Sequence, residues 1–254
     1  MVKGLYTAYS GLTVQQKRLD VVSNNLANAT TTGYKKEGLT TQSFKDVYGI
    51  KVKDETVGYI NQNIGTLNLG AKIGESFRSW DQGSFQNTGN TFDFALSGRF
   101  SISFTNKAGE TSTLYTRDGS FQMNREGYLV TKDGDFVLGE NGPIQLPTDF
   151  EKLTVEESGE IYADGQYVDR FALVDFENYD YVEAYGENLY RAVDGATQTD
   201  ATATVNQGYL EASNINVVTE MVDMISIARD FESNQKIMNT IDEMLGKMVS
   251  ISEI

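Results

Sequence analysis

The sequence predicts an α+β protein in which paired N- and C-terminal helices, packed like a coiled coil, enclose an extended region and a central antiparallel all-β domain. Three observations predict this fold. Apolar residues recur at helical spacing near both ends of the chain, turn signals recur every seven to ten residues between about 91 and 194, and both prolines (Pro143 and Pro147) lie in the middle. With 254 residues, the chain can bury a sizeable core.

The first predicted element is a helix over residues 4–27. Its apolar positions follow three- and four-residue steps, and Gln15 occupies the one step that lacks an apolar residue. We expect the helix to end near Asn28, because Asn28 and Gly33 can adopt the left-handed conformation that closes a helix. The residues expected to face a partner helix are Leu5, Leu12, Leu19, Val22 and Leu26.

The second predicted helix covers about 216–249, with Asn214 or Asn216 as its N-cap. Its early and late apolar residues do not coincide on a helical projection, so its apolar face swings by roughly a quarter turn and indicates different neighbours at the two ends. We expect the early face to pack on the first helix and the late face to meet neighbouring subunits. The early face is formed by Met224, Ala228 and Phe231, the late face by Ile237, Ile241, Met244 and Leu245, and the heptad residues Met221 and Met238 complete the predicted interface.

The middle of the chain is predicted to be β. Turn sequences such as "RDGS", "NREG" and "KDGD" alternate with strand-like runs such as "YLVT" and "FVLG", which is typical of consecutive hairpins. Residues 34–90 show no strong period. The predicted division is a terminal helical core domain (1–33 with 214–254), an extended linker or β-loop region (34–90) and a central β-domain (91–213).

Composition excludes several kinds of site. The chain has no cysteine and no histidine, which rules out disulfides, thiolate or imidazole metal ligands and histidine-dependent catalytic triads. A net charge of −15 argues against nucleic acid as a partner. The acidic pairs fit a solvated surface, and "KDGDF" and "TRDGSF" fit hairpin turns better than calcium loops. We therefore expect no catalytic residues, no metal, no cofactor and no small-molecule substrate.

The first residues, "MVKGLYTAYSGL", contain no continuous apolar stretch of the kind found in signal peptides. The sequence also contains no run of roughly 18 apolar residues that would span a membrane. We expect the protein to be cytoplasmic or to leave the cell by a route that needs no cleaved signal peptide.

Three stretches resemble one protein family. "GLYTAYSGLTVQQKRLDVVSNNLANATTTGYKK" (4–36) resembles the shared N-terminus of bacterial flagellar rod and hook proteins, with "NNLAN" and "TTGYK" as its core. "QGYLEASNINVVTEMVDMISIARDFESNQKIMNTIDEML" (207–245) is similar to the matching C-terminus. "YTRDGSFQMNREGYLVTKDGDFVLG" (115–139) resembles the β-domain of rod proteins of the FlgF and FlgG kind.

The resemblance implies a structural axial protein of the bacterial flagellum, without enzymatic activity. Such proteins leave through the flagellar type III export apparatus without a cleaved signal. They polymerise through their terminal helices into a hollow shaft, the basal-body rod, which crosses the cell envelope and carries torque from motor to hook. The implied partners are further copies of the chain, other rod and hook proteins, and the ring or cell wall around the rod. Distal-rod proteins carry an extension within the region that corresponds to 39–80. Both the distal and the proximal rod remain open, and we favour the distal rod.

The polar stretch after the first helix gains a role from this resemblance. We expect Asn24, Asn25, Asn28 and the threonines at 30–32 to hydrogen-bond backbone groups at a crowded junction between subunits, where Gly33 turns the chain outward. Two alternatives remain open from the residues alone. One is a carbohydrate-active or cell-wall-active enzyme on a β-scaffold, and the other is a β-rich binding module trimerised by its helices.

Overall fold

The computed structural model describes residues 2–51, 62–98, 101–105, 113–186, 188–200 and 203–252. It confirms the α+β class: the terminal helices contact each other, and small antiparallel sheets lie between them in sequence. The chain divides into two compact units. The helical unit comprises Met1–Ala27, Glu37–Ser79 and Asn216–Ile254, and the β-rich unit comprises Asn28–Lys36 and Trp80–Ile215. Residues 37–79 thus group with the helices, whereas the sequence division sets residues 34–90 apart.

Two long helices dominate the helical unit. Helix α1 spans Val2–Ala27 and helix α2 spans Val217–Ser252, each within two or three residues of the predicted bounds. The predicted cap of α2 is confirmed, because the side-chain oxygen of Asn216 accepts hydrogen bonds from the backbone N–H groups of Val218 (3.1 Å) and Thr219 (3.2 Å). Neither helix in the described part of the chain has a stretch apolar enough to cross a lipid bilayer.

Two pairs of antiparallel strands belong to the helical unit. Strand β1 (Glu37–Ser43) pairs with β4 (Ala71–Arg78), and β2 (Val47–Lys51) pairs with β3 (Gln62–Leu67). Both β1 and β4 contact α1. The side chain of Phe77 lies over Gly38 on the paired strand, where an added Cβ would stand within 2.8 Å of several atoms of its ring. An order that the weak sequence period did not reveal therefore comes from strand pairing and from packing on α1.

The β-rich unit is built from short antiparallel strands. Its strands are β5 (Phe85–Asn87), β6 (Phe94–Ser97), β7 (Ser101–Thr105), β8 (Thr113–Thr116), β9 (Gln122–Met123), β10 (Leu129–Val130), β11 (Phe136–Gly139), β12 (Gly142–Pro143), β13 (Leu153–Val155), β14 (Glu160–Ala163), β15 (Gln166–Arg170), β16 (Leu173–Phe176), β17 (Val182–Gly186), β18 (Leu189–Ala192), β19 (Gln198–Asp200), β20 (Thr204–Gln207) and β21 (Tyr209–Glu211). A 3₁₀ turn covers Tyr179–Tyr181. The predicted chain of hairpins is confirmed.

The strands of the β-rich unit form several sheets. The largest follows the order β17-β18-β8-β7-β11-β10-β9, a second is β13-β14-β15, and the pairs β20-β6 and β21-β5 join the end of the unit to its beginning. The main core is apolar and includes Phe94, Val137, Ile144, Ile161 and Phe171, all at most 2% exposed. A smaller aromatic core is formed by Tyr115, Phe176 and Tyr190, with Trp80 packed against it. The β-rich unit therefore buries a core of its own.

Candidate functional site

Helices α1 and α2 pack side by side in antiparallel directions. Gly4 lies against Ile241, since a Cβ added at Gly4 would stand 3.6 Å from Cδ1 of Ile241. Gly11 lies against Asn234, since a Cβ added at Gly11 would stand 3.1 Å from Nδ2 of Asn234. At the other end, Nδ2 of Asn25 is 3.3 Å from a carboxylate oxygen of Glu220. The two glycines weaken helix propensity, and their position shows why they are tolerated: they allow the helices to approach closely.

One continuous stripe of α2 faces inward. Its members are buried or half-buried and recur in strict four- and three-residue steps, which is the seam of a coiled coil. They are Glu220, Met224, Ile227, Phe231, Asn234, Met238, Ile241 and Leu245. On α1, Leu12 is buried, and Leu5, Leu19, Val22 and Leu26 are half-buried, as expected of residues that face a partner helix.

The division of α2 into an early face on α1 and a late face free for neighbours is wrong in one respect. Ile241, which the sequence assigned to the late face, is only 9% exposed and contacts α1 at Gly4. Leu245 continues the same stripe and is half-buried. The polar residues Glu220 and Asn234 interrupt the apolar pattern of the stripe, and this concealed its continuity in the sequence.

Apolar residues of α2 outside the stripe are uncovered within the described chain. Near the start of the helix, Val218 is 71% exposed and Val222 is 61% exposed, with Met221 and Ile225 beside them. Further along, Ile237 is 51% and Met244 is 44% exposed, and Met248 (51%) and Val249 (59%) follow near the end of the helix. In heptad terms Met221 and Ile225 lie on one flank of the stripe, and Ile237 and Met244 lie on the other. The predicted swing of the apolar face therefore belongs to these uncovered residues.

Asn25 holds the chain where it returns to the helical unit. It is 1% exposed, and its amide pairs with both backbone groups of Glu37: Nδ2 donates to the carbonyl (2.8 Å) and Oδ1 accepts from the N–H (3.0 Å). The same Nδ2 reaches Glu220, which is also 1% exposed. The predicted bonds to backbone groups thus exist at Asn25, and they lie within one chain. Sequence reasoning missed this contact of Glu220, which lies in the first turn of α2 and there also interacts favourably with the helix dipole.

The polar stretch after α1 forms a compact turn in the β-rich unit. The carbonyl of Asn28 accepts from the N–H of Thr31 (3.1 Å), and the side chain of Thr32 donates to Asp118 (2.8 Å). Gly33 is buried with φ of +68°, the left-handed conformation predicted for it, whereas Asn28 does not adopt a positive φ. Its N–H donates to the backbone carbonyl of Glu211 (2.8 Å). Asn24 is exposed on the last turns of α1.

Comparison with protein families matches three parts of the chain. Residues 5–35 match the profile described as "Flagella basal body rod protein", residues 96–163 match "Flagellar hook protein FlgE/F/G D1 domain", and residues 206–251 match "Flagellar basal body rod FlgEFG protein C-terminal". The first and third matches cover most of α1 and α2, and the second lies in the β-rich unit.

Individual relatives match along nearly the whole chain. The flagellar basal-body rod protein FlgG of Bacillus subtilis is 34% identical over 99% of both chains. The chain belongs to the flagellar basal-body rod protein family. FlgG of Agrobacterium fabrum is 32% identical over 96% of this chain and 97% of the relative, and FlgF of Caulobacter vibrioides is 33% identical over 96% and 95%.

Family membership confirms that the protein is a structural, non-enzymatic subunit of the flagellar basal-body rod, which assembles with other rod components. It decides against a carbohydrate-active enzyme and against a trimerised binding module. The functional site of such a rod protein is its assembly surface. The uncovered flanks of α2 form one part of the described surface whose chemistry fits that task.

Proposed function

We propose that this rod protein polymerises with further copies of itself through its paired terminal helices, forming the hollow shaft that transmits torque from the motor to the hook. The observation that carries the proposal is the uncovered apolar surface of α2. Four residues near its start and four further along are between 44% and 71% exposed, although the inward stripe of the same helix is buried or half-buried against α1. A helix that is apolar on more than its inward face indicates a second packing partner.

The positions of these residues favour two different neighbours. Met221 and Ile225 occupy one flank of the stripe, and Ile237 and Met244 occupy the other flank about three turns further on. A contact between two different patches of the same chain is heterologous, and heterologous contacts that do not close generate open helical polymers. A rod requires this kind of contact.

The distal rod is the proposed location. The support is the family resemblance, in which distal-rod proteins carry an extension in the region that corresponds to 39–80; strands β1–β4 overlap this region and group with the helices. We further propose export through the flagellar type III apparatus without a cleaved signal, contacts with other rod and hook proteins, and passage through the surrounding ring or cell wall. Antibody labelling of isolated basal bodies tests the location: label at the hook-side end supports it, and label at the motor-side end contradicts it.

Substitution on the uncovered surface tests polymerisation. Val222→Asp places a carboxylate where a neighbouring helix is expected, and burying it would cost several kcal/mol, on the order of 3 or more. We expect the purified variant to keep its helix content and its denaturant midpoint but to fail to form tubular polymers in electron microscopy, and cells that carry it to lose motility.

Ser233→Asp is the matched control, because it adds the same charge to an exposed polar position of the same helix. It should polymerise normally. Normal polymers of Val222→Asp would exclude this surface as the contact, and loss of polymers in both variants would mean that added charge, rather than the apolar surface, is responsible.

A further inference from the structure

The carboxylate of Glu211 lies at the centre of a buried charge cluster in the β-rich unit. Its Oε1 accepts from Nζ of Lys35 (2.7 Å) and from the backbone N–H of Gly83 (2.8 Å), and its Oε2 accepts from Nε of Arg117 (2.6 Å). The side chains of the three charged residues are at most 1% exposed. We call these three residues the charge cluster.

Both cations also bond to backbone carbonyls. Nζ of Lys35 donates to the carbonyl of Asp81 (2.7 Å), and Nη2 of Arg117 donates to the carbonyls of Leu96 (3.4 Å) and Gly98. The carbonyl of Asp81 also accepts from Nδ2 of Asn214 (3.1 Å). Each group of the cluster is therefore held by neutral partners as well as by charge.

One carboxylate serves two buried cations. Burial, followed by the charge of Arg117, lowers the pKa of Lys35 below its usual range, and the charges of Glu211 and Asp81 offset this only in part. Among the described residues, the carboxylate oxygen that Lys35 bonds to belongs to Glu211. A buried cation that loses its paired anion is strongly destabilising. The burial of Lys35 thus depends on Glu211.

The cluster joins segments that are far apart in sequence. Lys35 and Glu211 are 176 positions apart, and Arg117 and Glu211 are 94 positions apart. The chain passes between the two units four times, after residues 27, 36, 79 and 215. The hydrogen bonds of the cluster and its neighbours join the segments next to these passages, which are 33–36, 80–83 and 211–214. Lys36 adds to this set, because its backbone N–H donates to Oδ1 of Asn214 (2.7 Å).

We propose that Glu211 is the shared counter-ion that locks the β-rich unit closed, so that the segments carrying Lys35 and Arg117 are buried together only when strand β21 is in place. Closure of this unit then depends on a residue just before α2. A chain that has not yet placed its C-terminal strand keeps the lock open. The inference is independent of polymerisation, because it concerns the single subunit.

Two variants and their combination test the lock in the full-length protein. Glu211→Gln keeps the shape of the side chain but turns an amide N–H₂ toward the donors of Lys35 or Arg117. We expect it to raise the unfolding equilibrium constant of the β-rich unit by roughly 100-fold or more. Lys35→Met leaves the Asp81 carbonyl bonded to Asn214 and Glu211 bonded to Gly83 and Arg117, so we expect at most about a tenfold change.

The double variant Lys35→Met/Glu211→Gln decides the matter. Glu211→Gln deprives both Lys35 and Arg117 of their carboxylate, and Lys35→Met removes one of these two cations, so the double variant should be at least about tenfold more stable than Glu211→Gln alone. Trp80 is the one tryptophan of the chain and lies beside the Asp81 carbonyl, in contact with Tyr179 (4.8 Å between ring centroids) and Tyr190 (5.0 Å). Its fluorescence during urea unfolding reports this unit.

Glu140→Gln is the matched control. Its carboxylate pairs with Arg170 at 3.3 Å at the surface of the same unit, so its removal should change the unfolding constant by less than about fivefold. A merely structural role for the cluster predicts that the two substitutions add. A double variant as unstable as Glu211→Gln, or one that fails to fold, overturns the proposal, as does a Lys35→Met variant as unstable as Glu211→Gln.

Discussion

The two units differ in the side chains that distinguish them: the β-rich unit holds a buried cluster of three charges, and the helical unit holds exposed aliphatic residues. In the β-rich unit, Lys35, Arg117 and Glu211 are charged yet almost fully buried, and the aromatic residues Tyr115 and Tyr190 are covered. In the helical unit, apolar residues such as Val218 and Val222 are exposed along α2. The β-rich unit pairs its three clustered charges within one chain. The helical unit leaves apolar surface along α2 that the described residues do not cover, as is typical of a surface that binds a partner.

This difference separates folding from assembly in a testable way. Substitutions in the β-rich unit should change the stability of the single subunit, as monitored by Trp80. Substitutions on the uncovered flanks of α2 should change assembly and leave the single subunit intact. The inward stripe of α2 belongs to both categories, because the helix pair must form before its outer flanks are presented.

The largest effect is expected for Ile241→Asp in the stripe. Ile241 is 9% exposed and lies against Gly4, so an aspartate there places a carboxylate between the two helices at a cost of several kcal/mol, on the order of 3 or more. The isolated subunit should lose helical circular dichroism at a lower temperature, while the Trp80 fluorescence transition stays unchanged.

Ile237→Asp is the matched partner of that variant. Ile237 is 51% exposed on the flank of the same helix, so the single subunit should keep its thermal transition and lose only polymerisation. If Ile241→Asp and Ile237→Asp lower the helical transition equally, the distinction between stripe and flank is wrong.

The sequence predicted elements whose signals are local. Helix periodicity, the N-cap at Asn216, the left-handed Gly33 and the recurring hairpin turns all depend on neighbours a few residues away. It did not reveal the stripe of α2, because Glu220 and Asn234 break the apolar pattern and are accommodated by Asn25 and by the closely approaching Gly11. These contacts join residues from opposite ends of the chain.

The charge cluster was missed for the same reason. Lys35 is one of two adjacent lysines in a polar stretch, and nothing local distinguishes the buried lysine from its half-buried neighbour Lys36. Asp81, Arg117 and Glu211, which surround Lys35, lie far from it in sequence, so only the folded chain brings them together. Likewise, the strands of 37–79 acquire order from pairing and from α1 rather than from a period of their own.

Gly33→Ala should weaken the β-rich unit and spare the helices. A non-glycine residue at φ of +68° costs about 1–2 kcal/mol, and a Cβ here would stand 2.5 Å from the carbonyl oxygen of Arg117, so the backbone must shift as well. Gly89→Ala isolates the first contribution, because Gly89 has the same φ of +68° and no atom within 4 Å of an added Cβ. In urea unfolding monitored by Trp80, the midpoint of Gly33→Ala should be lower than that of Gly89→Ala. Equal midpoints would exclude a role for the close approach of residue 33 to the backbone of Arg117.

Asn25→Ala should destabilise the helical unit by about 1–3 kcal/mol, since it leaves both backbone groups of Glu37 and the carboxylate of Glu220 without their amide partner. Asn239→Ala, at an exposed position of α2, is the control and should be neutral. Thermal unfolding followed by helical circular dichroism gives the comparison. If Asn25→Ala changes polymerisation but not this transition, the residue acts between subunits, as the sequence suggested, rather than within one.

The smallest expected effect is a difference in pH dependence between the wild-type protein and Lys35→Met. Burial, then the charge of Arg117, lowers the pKa of Lys35 in the folded state, whereas the pKa of a lysine in the unfolded chain is about 10.4. Between these two values the unfolded chain binds more protons, so the contribution of Lys35 makes the free energy of unfolding rise with pH.

The slope from this one group cannot exceed about 1.4 kcal/mol per pH unit. This slope ends as the pH passes the pKa of Lys35 in the unfolded chain. It also vanishes at pH values below the pKa of Lys35 in the folded protein. Tyr115, whose pKa burial raises, titrates in both proteins, so its effect cancels in the difference between them. Urea unfolding monitored by Trp80 should therefore show wild type gaining stability relative to Lys35→Met as the pH rises toward about 10.4. Parallel stability curves would mean that Lys35 keeps its ordinary pKa, and that Glu211 fully compensates its burial.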